Sequence, residues 1–349
     1  IALVAGMWLD AQASHIVYWL CASVLIGGLL QLLLPSIDLV RQGWRPRLVA
    51  QSDTAMNELW KLFLPGLMGA AILQTNIFIS RLLAFSLDES AVSVLYLASR
   101  LMELPLGVFT ISVATVFFPL LAKAISAGDD QAFSSSFHQG LRLVVCISLP
   151  AAVGLCVLGD PIIACLFHWG AFNQNDVTST VPLLAIYGIG LPFYSIATFL
   201  TRGLHACKDM ITPVRVAVYC LATNLLFGLI LMQFIGAAGL ATANVLAAIA
   251  QSYLLWRALS SKREALNLNT ILPELSKVIL AGAGMGTICL FLSNAVSMAG
   301  IGAKTGAILT VAIGVPSGAT IYFVLLYLLR FKDLDIITVS YTHLTLPTI

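Results

Sequence analysis

The chain has 349 residues, of which 59% are hydrophobic and only 10% charged, and its mean hydropathy is +0.96. A water-soluble domain carries about 45–50% apolar and about 25% charged residues, so a soluble fold is excluded. A formal net charge of +2 leaves no basic stripe for nucleic acid.

A helix needs roughly 20 apolar residues to cross a hydrocarbon core of about 30 Å. Residues 1–9 are apolar but too short to span, and read as the end of a cut helix. Nine complete spans are predicted after them, at 16–39, 59–85, 91–121, 140–159, 180–203, 212–234, 236–256, 273–294 and 303–329. The expected fold class is an all-α integral membrane protein, a polytopic bundle of about nine transmembrane helices plus an N-terminal partial helix. The connection near 235 is so short that its two helices should be antiparallel neighbours, whereas 41–58 and 122–139 are polar enough to be surface segments. Residues 339–349 break from the charged segment before them and resemble a translated adapter sequence, a non-native tail.

Assigning successive loops to alternating sides separates the basic residues sharply. One side collects Arg41, Arg45, Arg47, Lys61, Lys123, Arg142, Arg202, Lys208, Arg215, Arg257, Lys262, Arg263, Lys277, Arg330 and Lys332; the other has Arg81 and Lys304. The positive-inside rule makes the first side cytoplasmic and puts the loops around 10–15, 86–90 and 160–178 outside. Trp19, Trp44, Trp60, Trp169 and Trp256 fall near span ends, as interfacial anchors do. Gly282/Gly286 and Gly314/Gly318 have the spacing that lets helices approach closely. The seven cysteines are scattered through apolar segments without ligand or disulfide spacing, and read as small packing residues.

One pair of charges lies well inside a predicted span, Arg100 and Glu103, three residues apart and so on one helix face. An arginine at the centre of a spanning helix costs about 2.5–3.5 kcal/mol on insertion scales, so it must face protein or a wet cavity. Two readings are open. In one the pair is a structural ion pair; in the other Arg100 binds an anionic substrate group through its planar fork while Glu103 holds the guanidinium in place. Pro105 and Gly107 follow at once, and proline removes a backbone donor there, so this is a candidate hinge or a static bend. Gln74, Asn76 and Ser80, with Asn224, Thr242 and Asn244, are further polar groups at depth. Each suits interhelical hydrogen bonding, and together they are candidates to line a polar cavity.

Catalytic constellations are missing from the sequence. His15, His138, His168, His205 and His343 fall in loops, span ends or the tail, no nucleotide-binding glycine loop occurs, and no metal-ligand spacing is present. The expectation is therefore a non-enzyme with no catalytic residue, no metal site and no cofactor.

Several stretches resemble the lipid II flippase family (MurJ, also called MviN) within the multidrug, oligosaccharidyl-lipid and polysaccharide exporter superfamily. Residues 95–109 read Leu-Tyr-Leu-Ala-Ser-Arg-Leu-Met-Glu-Leu-Pro-Leu-Gly-Val-Phe, and 114–121 read Ala-Thr-Val-Phe-Phe-Pro-Leu-Leu. Further matches are Leu-Phe-His-Trp-Gly-Ala-Phe at 166–172, Lys-Asp-Met-Ile-Thr-Pro-Val at 208–214, Gly-Ala-Ala-Gly-Leu-Ala at 236–241, and Pro65 with Gln74 and Asn76. The resemblance implies fourteen helices in two six-helix lobes plus two C-terminal helices, with this chain beginning in the fifth. On that scheme 1–40 ends the first lobe, 41–58 is a basic cytoplasmic loop, 59–260 is the second lobe, and 261–332 holds two helices forming a lipid-tail groove.

The resemblance further implies a flippase of the bacterial cytoplasmic (inner) membrane that moves undecaprenyl-pyrophosphate-linked peptidoglycan precursor by alternating access. Its partners would be that lipid-linked glycan and membrane lipids; no oligomer is indicated, and coupling would be to the membrane potential or a monovalent cation. Arg100 and Glu103 match the functional Arg and Glu of the family's second lobe. The first lobe's Arg cluster is missing from this sequence, and Ser80 and Gly228, beside Asn224, stand where some members carry acidic sodium ligands. The alternatives are an O-antigen or capsule exporter, a cation-coupled drug exporter of the same superfamily and, more distantly, a membrane enzyme acting on polyprenyl lipid.

Overall fold

The computed structural model describes residues 13–44, 54–170, 172–263, 266–267, 271–298 and 302–334, and among these the regular structure is entirely helical. The predicted helix stub at 1–9, Arg45 and Arg47 of the basic loop, and the tail at 339–349 lie outside the described residues. The chain divides into two compact units, Ile1–Glu58 and Leu59–Ile349. The first contains α1, Ala13–Arg41, whose 29 residues exceed the length needed to span. Its Leu25, Leu32 and Leu34 are exposed, a surface that suits hydrocarbon rather than water.

The second unit takes in most of α2 (Thr54–Leu87) and then α3 (Glu89–Pro105), a π-helical turn (Leu106–Thr110) and α4 (Ile111–Ala127). There follow α5 (Asp130–Val157), the short α6 (Gly159–Phe167), α7 (Gln174–Ala206), α8 (Ile211–Ser260), α9 (Leu272–Met298) and α10 (Ala303–Leu328). Among the described residues, eight helical stretches are long and apolar enough to cross a membrane, α3 to α4 being one and the 50-residue α8 another. α8 contains the two spans predicted at 212–234 and 236–256, because Ile235 and Gly236 leave helical geometry. Gly236 has φ +57° and ψ −132°, a region nearly closed to residues with a Cβ. The chain then folds back so tightly that a Cβ on Gly239 would collide with the Leu231 carbonyl. The expected antiparallel pair is thus a hairpin.

Two segments expected to be surface or loop are helical. Residues 130–139 form the first turns of α5, with the Asp129 side chain accepting from the Ala132 amide at 2.8 Å. Phe133 and Phe137 are fully buried there, Phe137 lying 5.2 Å from the Phe199 ring and 6.3 Å from Trp256. The serines between them and the glutamines at 131 and 139 lower the local hydropathy, but the four-residue spacing of the phenylalanines makes one buried stripe. Trp256, expected at the interface, packs partly buried into the same cluster. In the segment 160–178, α6 and the first turn of α7 replace loop, α7 being started by a reciprocal cap between Asn173 and Asp176.

α9 and α10 pack beside α5 through their small residues. A Cβ on Gly286 would stand 2.9 Å from Val153, and one on Gly318 2.8 Å from the Cys289 sulfur; close approach is what these glycines permit. The Tyr322 hydroxyl donates to the Cys146 carbonyl at 2.6 Å. At the end where the basic loops gather, Arg142 pairs with Asp333 at 2.5 Å, Lys262 with Asp209 at 2.5 Å, and Arg263 with Asp130. Burial pushes the Asp209 carboxyl up, but the Lys262 ammonium and the Thr212 amide and hydroxyl outweigh it and hold the group at about 2. At the opposite end the Lys304 ammonium stands over the Trp169 ring. The loops assigned to each side by charge therefore meet one another within this unit.

Candidate functional site

α3 presents two faces. Ala91, Val94, Ala98 and Leu101 are buried in the apolar core, while Val92, Tyr96, Ser99, Arg100 and Glu103 line a cavity of about 460 Å³, with Leu95 and Met102 at the border between the two. The intervals of three and four along this second set are those of one helical stripe. The opposite wall comes from α2, through Gln74, Asn76, Ile77, Ser80, Arg81 and Ala84. Tyr187 and Tyr194 of α7, with Leu240 and Asn244 of the second half of α8, complete it.

Arg100 lies eleven residues into α3, roughly 16 Å along the axis at 1.5 Å per residue, near the middle of a core about 30 Å thick. Its Nη1 donates to Glu103 Oε2 at 2.6 Å, and the two side chains are 53% and 45% exposed. The guanidinium also lies 5.0 Å from the centre of the Tyr96 ring. A cation–π contact contributes about 0.5–1 kcal/mol when exposed, and an exposed ion pair about 0–1 kcal/mol, so neither locks Arg100 away from a ligand. Glu103 is the one acidic side chain among the described residues of the wall, set against two arginines, so the cavity is formally cationic.

Gln74, Asn76 and Ser80 reach the cavity from α2. Asn224 does not line it. Its side chain is buried behind the wall, where Nδ2 donates to Asn76 Oδ1 at 2.7 Å and Ser80 Oγ at 3.1 Å. Thr242, likewise, turns back to the Ala238 carbonyl at 2.7 Å. Asn244 lies on the wall and donates to the Leu240 carbonyl at 3.0 Å. Pro105 is the last residue of α3 and Gly107 lies in the π-helical turn, neither of them on the wall. The missing proline N–H and the change of helical repeat coincide there, as at the π-bulges that interrupt α-helices.

Several wall residues were not singled out from the sequence, Tyr96, Arg81, Tyr187 and Tyr194 among them. Tyr187 and Tyr194 are seven apart, two turns on one face of α7, a spacing legible in advance but indistinguishable from packing. Arg81 was counted with the outer side and not with the cavity; its guanidinium is 5.6 Å from the Tyr96 ring. The signal was Gln74 and Arg81, also seven apart, on the helix that already offered Asn76 and Ser80 as polar groups at depth.

Multiple spanning helices packed around a polar, cationic cavity define a multi-pass membrane protein of the transporter class. The family model "Lipid II flippase MurJ" matches residues 1–327, and the chain belongs to that family of transporters. A "Probable lipid II flippase MurJ" of Bdellovibrio bacteriovorus is 33% identical over 263 residues, 75% of this chain and 50% of the relative. One from Thermotoga maritima is 31% identical over 323 residues, 91% of this chain and 62% of the relative. Among solved structures, "Lipid II flippase MurJ, inward closed conformation" matches with a TM-score of 0.64 at 25% identity, covering 82% of this chain and 57% of that one. An outward-facing MATE family multidrug transporter of the MOP superfamily shares the fold, with a TM-score of 0.51 at 16% identity over 78% of this chain and 65% of that one. The chain spans less than two thirds of the length of these relatives.

Proposed function

We propose that the protein carrying this chain moves lipid II, an undecaprenyl-pyrophosphate-linked glycan, outward across the bacterial cytoplasmic membrane by alternating access. The membership of its family supports the cargo, and one observation carries the mechanism: the Arg100–Glu103 pair lies half-exposed on a cavity wall near mid-membrane depth. A guanidinium there is tolerable because water and anions reach it, and its fork meets phosphate oxygens two at a time. Arg100 contacts the pyrophosphate; Glu103, three residues on, neutralises the guanidinium between cycles and releases it when phosphate competes. Pro105 and Gly107 mark the point at which the helix bends as the cavity changes access, and Gln74, Asn76 and Ser80 take sugar or phosphate oxygens. Asn224 acts from behind, holding Asn76 and Ser80 in place. No bond is made or broken in the cargo, so the protein is not an enzyme, and the cycle is driven by the membrane potential or a monovalent cation gradient.

The test is growth of a flippase-depleted strain rescued by the full-length gene carrying Arg100→Ala or Arg100→Lys, with membrane protein levels matched. Arg100→Ala is expected to fail and Arg100→Lys to rescue partly, since lysine keeps the charge without the fork. Normal growth with both variants would remove Arg100 from the mechanism. Turnover of lipid II by the purified protein would overturn the transporter reading itself.

A further inference from the structure

α2 and α3 are joined through the single non-helical residue Asp88, and across that turn the Arg81 guanidinium reaches the Tyr96 ring. Arg81 is seven residues before that turn, Tyr96 eight after it and Arg100 twelve after it. Arg81 therefore stands level with Tyr96, and Arg100 lies one helical turn, roughly 6 Å, further from the turn. The guanidinium carbons of Arg81 and Arg100 are 5.6 Å and 5.0 Å from the centre of one and the same ring. Their separation cannot exceed those two distances together. Two cations are thus held around one aromatic ring, on the wall of one cavity.

The two arginines differ in their partners. Arg100 has the Glu103 carboxylate, whereas no carboxylate among the described residues forms an ion pair with Arg81. A ring quadrupole attracts a guanidinium but supplies none of the in-plane acceptors that its five N–H groups require. Arg81 is the cation of this cavity whose hydrogen-bonding demand the wall leaves open, and an anion entering the cavity is what meets it.

We propose that Arg81 is a second anion contact, and that Arg81 and Arg100, both held at the Tyr96 ring, favour a ligand with two linked phosphates over one with a single phosphate. Each fork takes the oxygens of one phosphate, and the Tyr96 ring beside them attracts both guanidinium groups. A monophosphate satisfies one fork and leaves the other unmet. The position of Arg81 one turn nearer the predicted outer end also gives the anion a second station in the outward direction. This rests on the transport reading above and names the phosphate-bearing part of its cargo.

The experiment measures binding of farnesyl diphosphate and farnesyl monophosphate to the full-length protein in lipid nanodiscs. Wild type is expected to prefer the diphosphate. Arg81→Gln should raise the diphosphate Kd about tenfold, the loss of one charge-assisted contact, and leave the monophosphate Kd within about twofold. A diphosphate Kd unchanged in Arg81→Gln, or an equal weakening of both ligands, overturns the proposal. Should Arg81→Gln fail to fold, Arg81→Lys decides: a selective, several-fold rise for the diphosphate supports the clamp, and wild-type binding of both ligands overturns it. Arg100→Ala separates the two readings, since both ligands bound as by wild type would end the role of Arg100 whatever Arg81 does.

Discussion

The Arg100–Glu103 and Arg142–Asp333 pairs have almost the same length, 2.6 Å and 2.5 Å, and opposite settings. The first joins neighbours on one helix and is about half exposed; the second joins residues 191 apart in sequence, with both side chains under a tenth exposed. Arg142 gives Asp333 two hydrogen bonds, from Nε and from Nη2, and Gln139 adds a longer one at 3.4 Å. The cavity pair has spare donors and room for a ligand. The buried pair is satisfied within the protein, and it ties the segment after α10 to α5. The same two residue types can thus be a binding element or a fastening, and burial with hydrogen-bond saturation decides which.

The comparison breaks first at the fastening. Asp333→Ala leaves a buried guanidinium without its partner and is expected to cost about 3–5 kcal/mol, seen as a large fall in the unfolding temperature of the detergent-solubilised protein. The double replacement Arg142→Met with Asp333→Leu should recover most of it, because apolar residues of similar volume replace a buried pair with little loss. A loss below about 1 kcal/mol for Asp333→Ala would mean that the pair is not a fastening. The intermediate case is Asn224, whose buried amide joins α8 to α2 through Asn76 and Ser80. Asn224→Ala should cost about 0.6–2 kcal/mol and reduce transport partly, by loosening the α2 wall. The smallest stability change belongs to Arg100→Ala, under about 1 kcal/mol for an exposed pair, although it should abolish rescue of growth. A large destabilisation by Arg100→Ala would turn that pair into a second fastening.

Much of this was legible in the chain itself. The spans, the tight hairpin near 235, the basic end and the Arg100–Glu103 pair on one helix face all follow from local spacing and composition. The polar start of α5 was misjudged because hydropathy averages over a window, while Phe133 and Phe137 are buried by what α7 and α8 place against them. Asn224 was grouped with the cavity because depth alone cannot tell a wall residue from one behind it. Arg81 was left out of the cavity for the converse reason: its position along the span was evident, its direction was not.

The sequence by itself determined that this chain lives in a bilayer, how many times it has material to cross, and where a buried charge demands an explanation, because length, hydropathy and the cost of desolvating a guanidinium are properties of short segments. Only the tertiary structure decided which helices share a wall, that Tyr96 stands beside two arginines, and that Arg142 meets Asp333. Those contacts join residues on different helices, and the rotation of one helix about its axis against another is set by packing between them rather than by anything within either.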